Sequence, residues 1–166
     1  MRTTARATAT AVAVCLTALG LTMPATVARA TPGADVGVLA DCSPHGTDGK
    51  MYAWVNANCS GTRLGSDVGN DANWGNNLGQ FRGSDDNNAT SVANNGHVGG
   101  NDVVAFYRTT GGADAWGRGF LCAGPGVSLV DLRGYAFTTG ENANDRISSH
   151  HWVTPGACDR AAFISD

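Results

Sequence analysis

An all-β domain built on tight turns is what this sequence predicts, and three observations predict it. The chain carries 23 Gly, and its 14 acidic residues are all Asp except Glu141. Gly, Asp and Asn favour turns and caps over helix interiors. No stretch shows long helical periodicity, whereas short runs holding Val, Tyr, Phe and Trp recur between clusters of turn residues. Finally, Cys42, Cys59, Cys122 and Cys158 form an even set in the part that reads as mature protein. In a secreted chain that suits two disulfides.

Residues 1–30 read as a secretory signal peptide. Arg2 and Arg6 give a basic start, an apolar run extends from about Ala11 to Met23, and Ala28-Arg29-Ala30 supplies a small-residue cleavage pattern. The run is too short and too broken by Thr to span a membrane. Cleavage leaves 136 of the 166 residues, one domain's worth. Three arginines leave with it, so 8 Lys and Arg face 14 acids and the mature chain has a net charge of −6. Such a domain is a poor partner for nucleic-acid phosphates and is compatible with cations. No C-x-x-C spacing occurs, which argues against a zinc ribbon or a thioredoxin-type site. Four cysteines allow three pairings, and the sequence leaves them open.

Residues 31–41 look like a loose leader, and the ordered domain is expected over 42–166. "KMYAWVNANCSG" alternates around Tyr52 and Trp54 and ends in a turn. "GSDVGNDANWGNNLGQFRGSDDNN" is turn-rich, with Trp74 and Phe81 as core anchors. Val103 to Tyr107 is the clearest strand, apolar on both faces and therefore buried. "GVSLVDLRGYAF" is a further strand candidate after the Gly124-Pro125-Gly126 turn. At the end, Trp152 and Phe163 are expected to be buried and Cys158 to tie the segment down.

A repeat runs through these elements. "DNNATS" (Asp86 to Ser91) and "NDRISS" (Asn144 to Ser149) share one pattern: two Asn/Asp, two spacers, a hydroxyl and a Ser, 58 positions apart. Each follows an aromatic strand and a Gly turn: Trp54, Cys59 and Gly61 in one half, and Phe106-Tyr107, Gly111-Gly112 and Trp116-Gly117 in the other. With these motifs, and with "WVNANCSG", "FLCAGPG" and "NDRISSHHW", the stretch from Cys42 to Trp152 resembles a βγ-crystallin domain. It is most similar to the secreted bacterial peptidase-inhibitor family I36, which shares that fold. The resemblance implies a β-sandwich of two Greek-key motifs, about 42–98 and 99–153, with a C-terminal extension. It also implies that the paired loops clamp Ca²⁺.

Loop chemistry supports that expectation. Ca²⁺ takes several oxygen ligands in a flexible shell, and one short loop cannot surround it. By position in the motif, Thr90 and Ser148 would give hydroxyls, Asn87 and Asp145 side-chain oxygens, and Asn88 and Arg146 backbone carbonyls. So low a ligand charge points to weak binding, roughly 10⁻⁴ to 10⁻³ M. In the competing reading both loops are folding devices without an ion: Ser91 and Ser149 bond their own loops, and the Asn/Asp pairs form Asx-turns.

Other groups carry less. His150 and His151 would face opposite ways on a strand, so one is expected at the surface and one partly packed, with no shared ion. Ser148, His150 and Asp145 make a triad only on paper, since no G-x-S-x-G elbow occurs. Asp85 and Asp86 diverge rather than pair as glycosidase carboxylates must. The expectation is therefore a monomeric, non-enzymatic protein with neither a nucleic-acid nor a membrane partner. Its family resemblance implies inhibition of a secreted protease, most specifically a metalloprotease, with Cys59 and Cys122 bracing a loop near a turn. The alternatives are a calcium-binding structural module and a secreted toxin-like protein. Two departures from the family pattern stand out: Tyr52 lies where a second early Cys is usual, and the Tyr107 to Trp116 spacing implies an insertion around Gly111 to Ala115 that would distort the second Greek key.

Overall fold

The computed structural model describes Cys42, residues 48–158 and Phe163–Ile164. The expected signal peptide and leader, and the burial of Phe163, lie outside what is described. Among the described residues eight strands follow in order: β1 Lys50–Asn56, β2 Ser60–Asp67, β3 Ser91–Asn95, β4 Val103–Tyr107, β5 Phe120–Ala123, β6 Ser128–Leu129, β7 Ser149–Val153 and β8 Phe163–Ile164. They form two four-stranded sheets, β2-β1-β3-β6 and β7-β4-β5-β8, antiparallel except where β8 joins β5.

The sheet order reveals an exchange. β6 lies between β5 and β7 in the chain, yet it pairs with β3 in the other sheet. Asp71 lies between β2 and β3, yet it bridges to His150 in β7. Each half thus lends one short segment to the strands of the other: β6 as a member of the sheet, Asp71 as an isolated bridge. The stretch expected as an insertion, Gly111 to Ala115, enters a 3-10 segment, Gly112–Arg118. It leaves the pairing intact, because β4 lies between β5 and β7 as β1 lies between β2 and β3.

Strand β4 shows why its sequence is apolar throughout. Val104 and Phe106 enter the main core with Met51, Val92, Leu121, Leu129, Ile147 and Trp152. Val103, Ala105 and Tyr107 enter a second cluster with Ala115 of the 3-10 segment, Cys122 and Cys158. Both faces of the strand are covered, so alternation has no polar side to show. Trp74 and Phe81 anchor the irregular region as expected: both are fully buried and stack at 3.9 Å. Fully burying one large apolar side chain contributes roughly 1.5–3 kcal/mol. That stack presses on β2, where a Cβ at Gly65 would lie 2.7 Å from the Phe81 ring.

The alternation around Tyr52 and Trp54 holds in β1: Met51 and Ala53 enter the core, while Tyr52 and Trp54 are half-buried and stack on each other at 5.7 Å. One expectation is corrected. "GVSLVDLRGYAF" is a strand only at Ser128–Leu129 and turns into a 3-10 segment at Leu132–Gly134. Cys59 occupies a turn, and Cys122 lies in β5 just before the turn at Pro125 and Gly126, so both lie near turns as expected. The disulfides are Cys42–Cys59 and Cys122–Cys158. They fit an oxidising, extracellular setting. Among the described residues no helix is long and apolar enough to cross a membrane.

Candidate functional site: two crosswise-paired loops

The repeated loops meet. Asn87 and Asp145, the second residue of each, share left-handed backbone geometry at φ 55° and 53°, a region Asn and Asp tolerate better than most residues. Their N–H groups cross over: Asn87 donates to the Ile147 carbonyl at 3.0 Å and Asp145 to the Ala89 carbonyl at 2.9 Å. Ala89 and Ile147 are fully buried and pin both loops to the core.

The side chains cross over as well. Thr90 donates its hydroxyl to Asp145 Oδ1 at 3.4 Å, and Ser148 donates to Asn87 Oδ1 at 3.3 Å. The hydroxyl of each loop therefore sits with the second residue of the other loop. This refines the expected ligand sets: Ser148 does not share a cluster with Asp145. There are two oxygen clusters, Thr90 with Asp145 and Ser148 with Asn87, each built from both loops.

The final serines do not bond their own loops, contrary to one sequence reading. Ser91 donates to the Asn56 carbonyl at 2.6 Å and accepts from Cys59 N–H. Ser149 does the same with the Thr109 carbonyl at 2.7 Å and Gly112 N–H. Each serine latches the turn that follows the first strand of its half. In the first loop the Asn87 side-chain amide donates to Asp86 Oδ2. In the second loop Asn144 donates to Asp145 in the same way.

The donor set fits a hard cation. Two oxygens at right angles on Ca²⁺, at the usual distance of about 2.4 Å, lie about 3.4 Å apart, and the two cross-loop pairs have that separation. Asp86 Oδ1 and Asn144 Oδ1, the first side chains of the motifs, are buried acceptor atoms without a partner. No hydrogen bond among the described residues ends on the carbonyl of Asn88 or Arg146. The cross-loop bonds bring together four of the six expected ligand residues, Asn87, Thr90, Asp145 and Ser148, and the orphaned oxygens of Asp86 and Asn144 are additions that position in the motif had not suggested. Among the described residues no group of three or more His, Cys, Asp or Glu is placed to hold a metal, so any ion here would depend on amide, hydroxyl and carbonyl oxygens beside isolated carboxylates such as that of Asp145.

Arg133 was also missed. A cleft of about 540 Å³ opens at Thr90, Asn144 and Asp145, and Arg133 lines it with Asn56 and Ser60. Its guanidinium grips Asp131 at 2.8 and 2.9 Å. That contact chiefly, and Asp145 to a smaller degree, raises its pKa further. The signal was present in the repeat interval. Asp131-Leu132-Arg133 and Asn73-Trp74-Gly75 stand the same 58 positions apart as the two loops, in the opposite sense. Leu132 N–H donates to the Thr90 carbonyl as Trp74 N–H donates to the Ser148 carbonyl.

His150 is fully buried, where the sequence suggested at most partial packing. Its Nδ1 accepts from the Trp74 indole N–H at 2.9 Å, and its Nε2 lies 3.0 Å from the Gly69 carbonyl. Burial pushes its pKa down to about 4, against the opposing pull of Asp67, the Gly69 bond and Asp71. The Asp67 carboxylate 3.8 Å away therefore faces a neutral ring at pH 7. His151 is half-buried, and its pKa is also lowered by desolvation.

No family model matches the chain, and no curated protein matches it. Among solved structures it is similar to one described as "Evolution of the eye lens beta-gamma-crystallin domain fold". The identity is 21%, over 62% of this chain and 83% of that one, with a TM-score of 0.40.

Proposed function

We propose that this protein is a secreted, non-enzymatic domain of two Greek-key motifs, of βγ-crystallin type, whose paired loops bind Ca²⁺ and fasten the two halves together. The observation that carries this reading is the crosswise pairing, in which each hydroxyl meets the second side chain of the other loop. The exchange of β6 and the Asp71 bridge between the sheets supports the Greek-key part. Thr90, Asp145, Ser148 and Asn87 would hold the ion through side-chain oxygens, with the Asn88 and Arg146 carbonyls beside them. Bound calcium would supply charge neutralisation and rigidity rather than chemistry.

Thermal unfolding tests it. A ligand that binds only the folded state adds about 2.7 kcal/mol at a hundredfold excess over Kd. The melting temperature should rise by several degrees between excess EDTA and about 100 mM Ca²⁺, a hundredfold excess over the weakest expected Kd. An unchanged melting temperature across that range defeats the reading.

Inhibition of an extracellular protease is the second reading, drawn from the sequence resemblance to family I36. One feature favours it: the β1–β2 turn is preorganised, with Asn58 and Cys59 in left-handed geometry and Cys59 cross-linked to Cys42. A preorganised loop loses less entropy on binding. Incubation with thermolysin-like, subtilisin-like and trypsin-like enzymes decides it, because stoichiometric loss of one activity marks an inhibitor. Digestion, or survival without inhibition, leaves the structural module.

A further inference from the structure

We infer that Asn95–Gly96 is a covalent modification site, a deamidating pair that the fold restrains through Asp48 and Asn94. The chain has a single Asn-Gly and a single Asp-Gly sequence, Asn95–Gly96 and Asp48–Gly49, and the fold clasps them together. Gly49 N–H donates to the Asn95 carbonyl at 2.9 Å, and the Asn95 side-chain amide donates to Asp48 Oδ1 at 2.7 Å. Packing imposes glycine at both places. A Cβ at Gly96 would lie 2.5 Å from the Trp152 ring and 2.8 Å from Asn94 Oδ1, and Gly49 has a φ of +78°. A glycine after Asn leaves its amide nitrogen unobstructed by a side chain. In the reaction the Gly96 nitrogen attacks Asn95 Cγ and forms a cyclic imide. The Gly96 proton leaves with the side-chain nitrogen as ammonia, and water then opens the imide to aspartate or isoaspartate.

Both reacting groups are tethered. Gly96 N–H donates to Asn94 Oδ1 at 2.8 Å, and Asn94 is fixed in turn, its amide donating to the Asp102 and Ala123 carbonyls. The Asn95 amide is held by Asp48, whose carboxylate also accepts from Lys50 N–H and the Tyr52 hydroxyl. Reaction therefore waits on local opening at the end of the β1–β3 pair, where Lys50 lies opposite Asn95. The product reverses the clasp: a carboxylate replaces the donor that faced Asp48, and like charges repel.

Peptide mapping by mass spectrometry, on the mature chain aged in mildly alkaline buffer, is the test. Asn95 should deamidate at least about tenfold more slowly in the folded chain than in the same chain unfolded by guanidinium chloride. In the folded chain Asp48→Ala should speed the reaction about fivefold, as the loss of one hydrogen bond would. Tyr52→Phe, which keeps the ring, should speed it less. Equal rates in the folded and unfolded chain overturn the inference, and so does an Asp48→Ala rate equal to that of the wild type. Where Asp48→Ala fails to fold, Tyr52→Phe decides in its place, and an unchanged rate overturns the role of Asp48. Asn95→Asp should melt at a lower temperature than Asn95→Ala at low ionic strength, because it alone sets a second carboxylate against Asp48. Equal melting temperatures overturn the reversal of the clasp.

Discussion

The slots behind the two loops are framed alike and filled differently. Behind the second loop, Trp74 N–H donates to Ser148 and the Trp74 indole donates to His150, the residue after Ser149. Behind the first loop, Leu132 N–H donates to Thr90, and the residue after Ser91 is Val92. All four side chains are fully buried. The backbone frame is thus indifferent to what fills it, provided every buried polar atom finds a partner. His150 meets that condition at both ring nitrogens, and the Leu132 slot avoids it by holding no polar side-chain atom. A polar filling adds a directional bond between segments 76 residues apart, but its stability then depends on protonation and on both partners being present.

The sharpest way to break this comparison is to empty each slot. Trp74→Ala removes the ring stacked on Phe81 and leaves His150 Nδ1 without its donor. Its expected cost is about 4 kcal/mol, in the range for large aromatic truncations. Leu132→Ala opens an apolar cavity only, with an expected cost of about 3 kcal/mol. Urea unfolding of both variants measures the difference. Equal losses would mean that the Trp74–His150 bond adds nothing beyond packing.

Proton concentration separates the slots next. His150 has a folded-state pKa of about 4, below its ordinary 6.5, because burial disfavours the charged ring. A depressed pKa means the folded state resists protonation. Stability from this group is complete above pH 6.5 and is lost as pH falls toward 4, in all about 3 kcal/mol. A protonated ring would also turn Nδ1 into a donor facing the Trp74 N–H. His150→Val copies the arrangement at Val92. It should start less stable at neutral pH and then lose less stability than the wild type between pH 6.5 and 4, as followed by denaturant unfolding at each pH. Parallel pH profiles for the two proteins would remove His150 from the acid response.

Much of this frame was readable in the sequence, and the unread parts share a cause. Trp74 and Phe81 stood out as aromatics among turn residues, and Val103 to Tyr107 as an apolar run too short for a helix. The two loops were visible because a repeated pattern survives without knowledge of contacts. What failed depended on a partner far along the chain. His150 reads as a surface-tolerant residue until the Trp74 indole is brought to it. Strand alternation in "GVSLVDLRGYAF" was a fair signal, but the Asp131 carboxylate accepts from Arg133 N–H and caps a 3-10 segment there. Local side-chain bonding outcompeted the sheet. The crosswise pairing was equally hidden, since spacing tells which residues match by position and not which ones touch.

The smallest expected effect sharpens the comparison at the loops themselves. Arg133 lines the cleft at Thr90 and Asp145, while its counterpart by the repeat interval is Gly75. A guanidinium there opposes a cation, but Asp131 already grips it and its side chain is 65% exposed. Exposed pairs of this kind carry at most about 1 kcal/mol and are screened by salt. Arg133→Ala should therefore tighten Ca²⁺ binding by about two- to threefold at low ionic strength, with the gain fading as NaCl rises, read by calorimetric titration at two salt concentrations. A gain above tenfold would mean that Arg133 occupies the place of the ion. No gain at low salt would mean that Asp131 neutralises the guanidinium completely, and that the two clusters differ in shape alone.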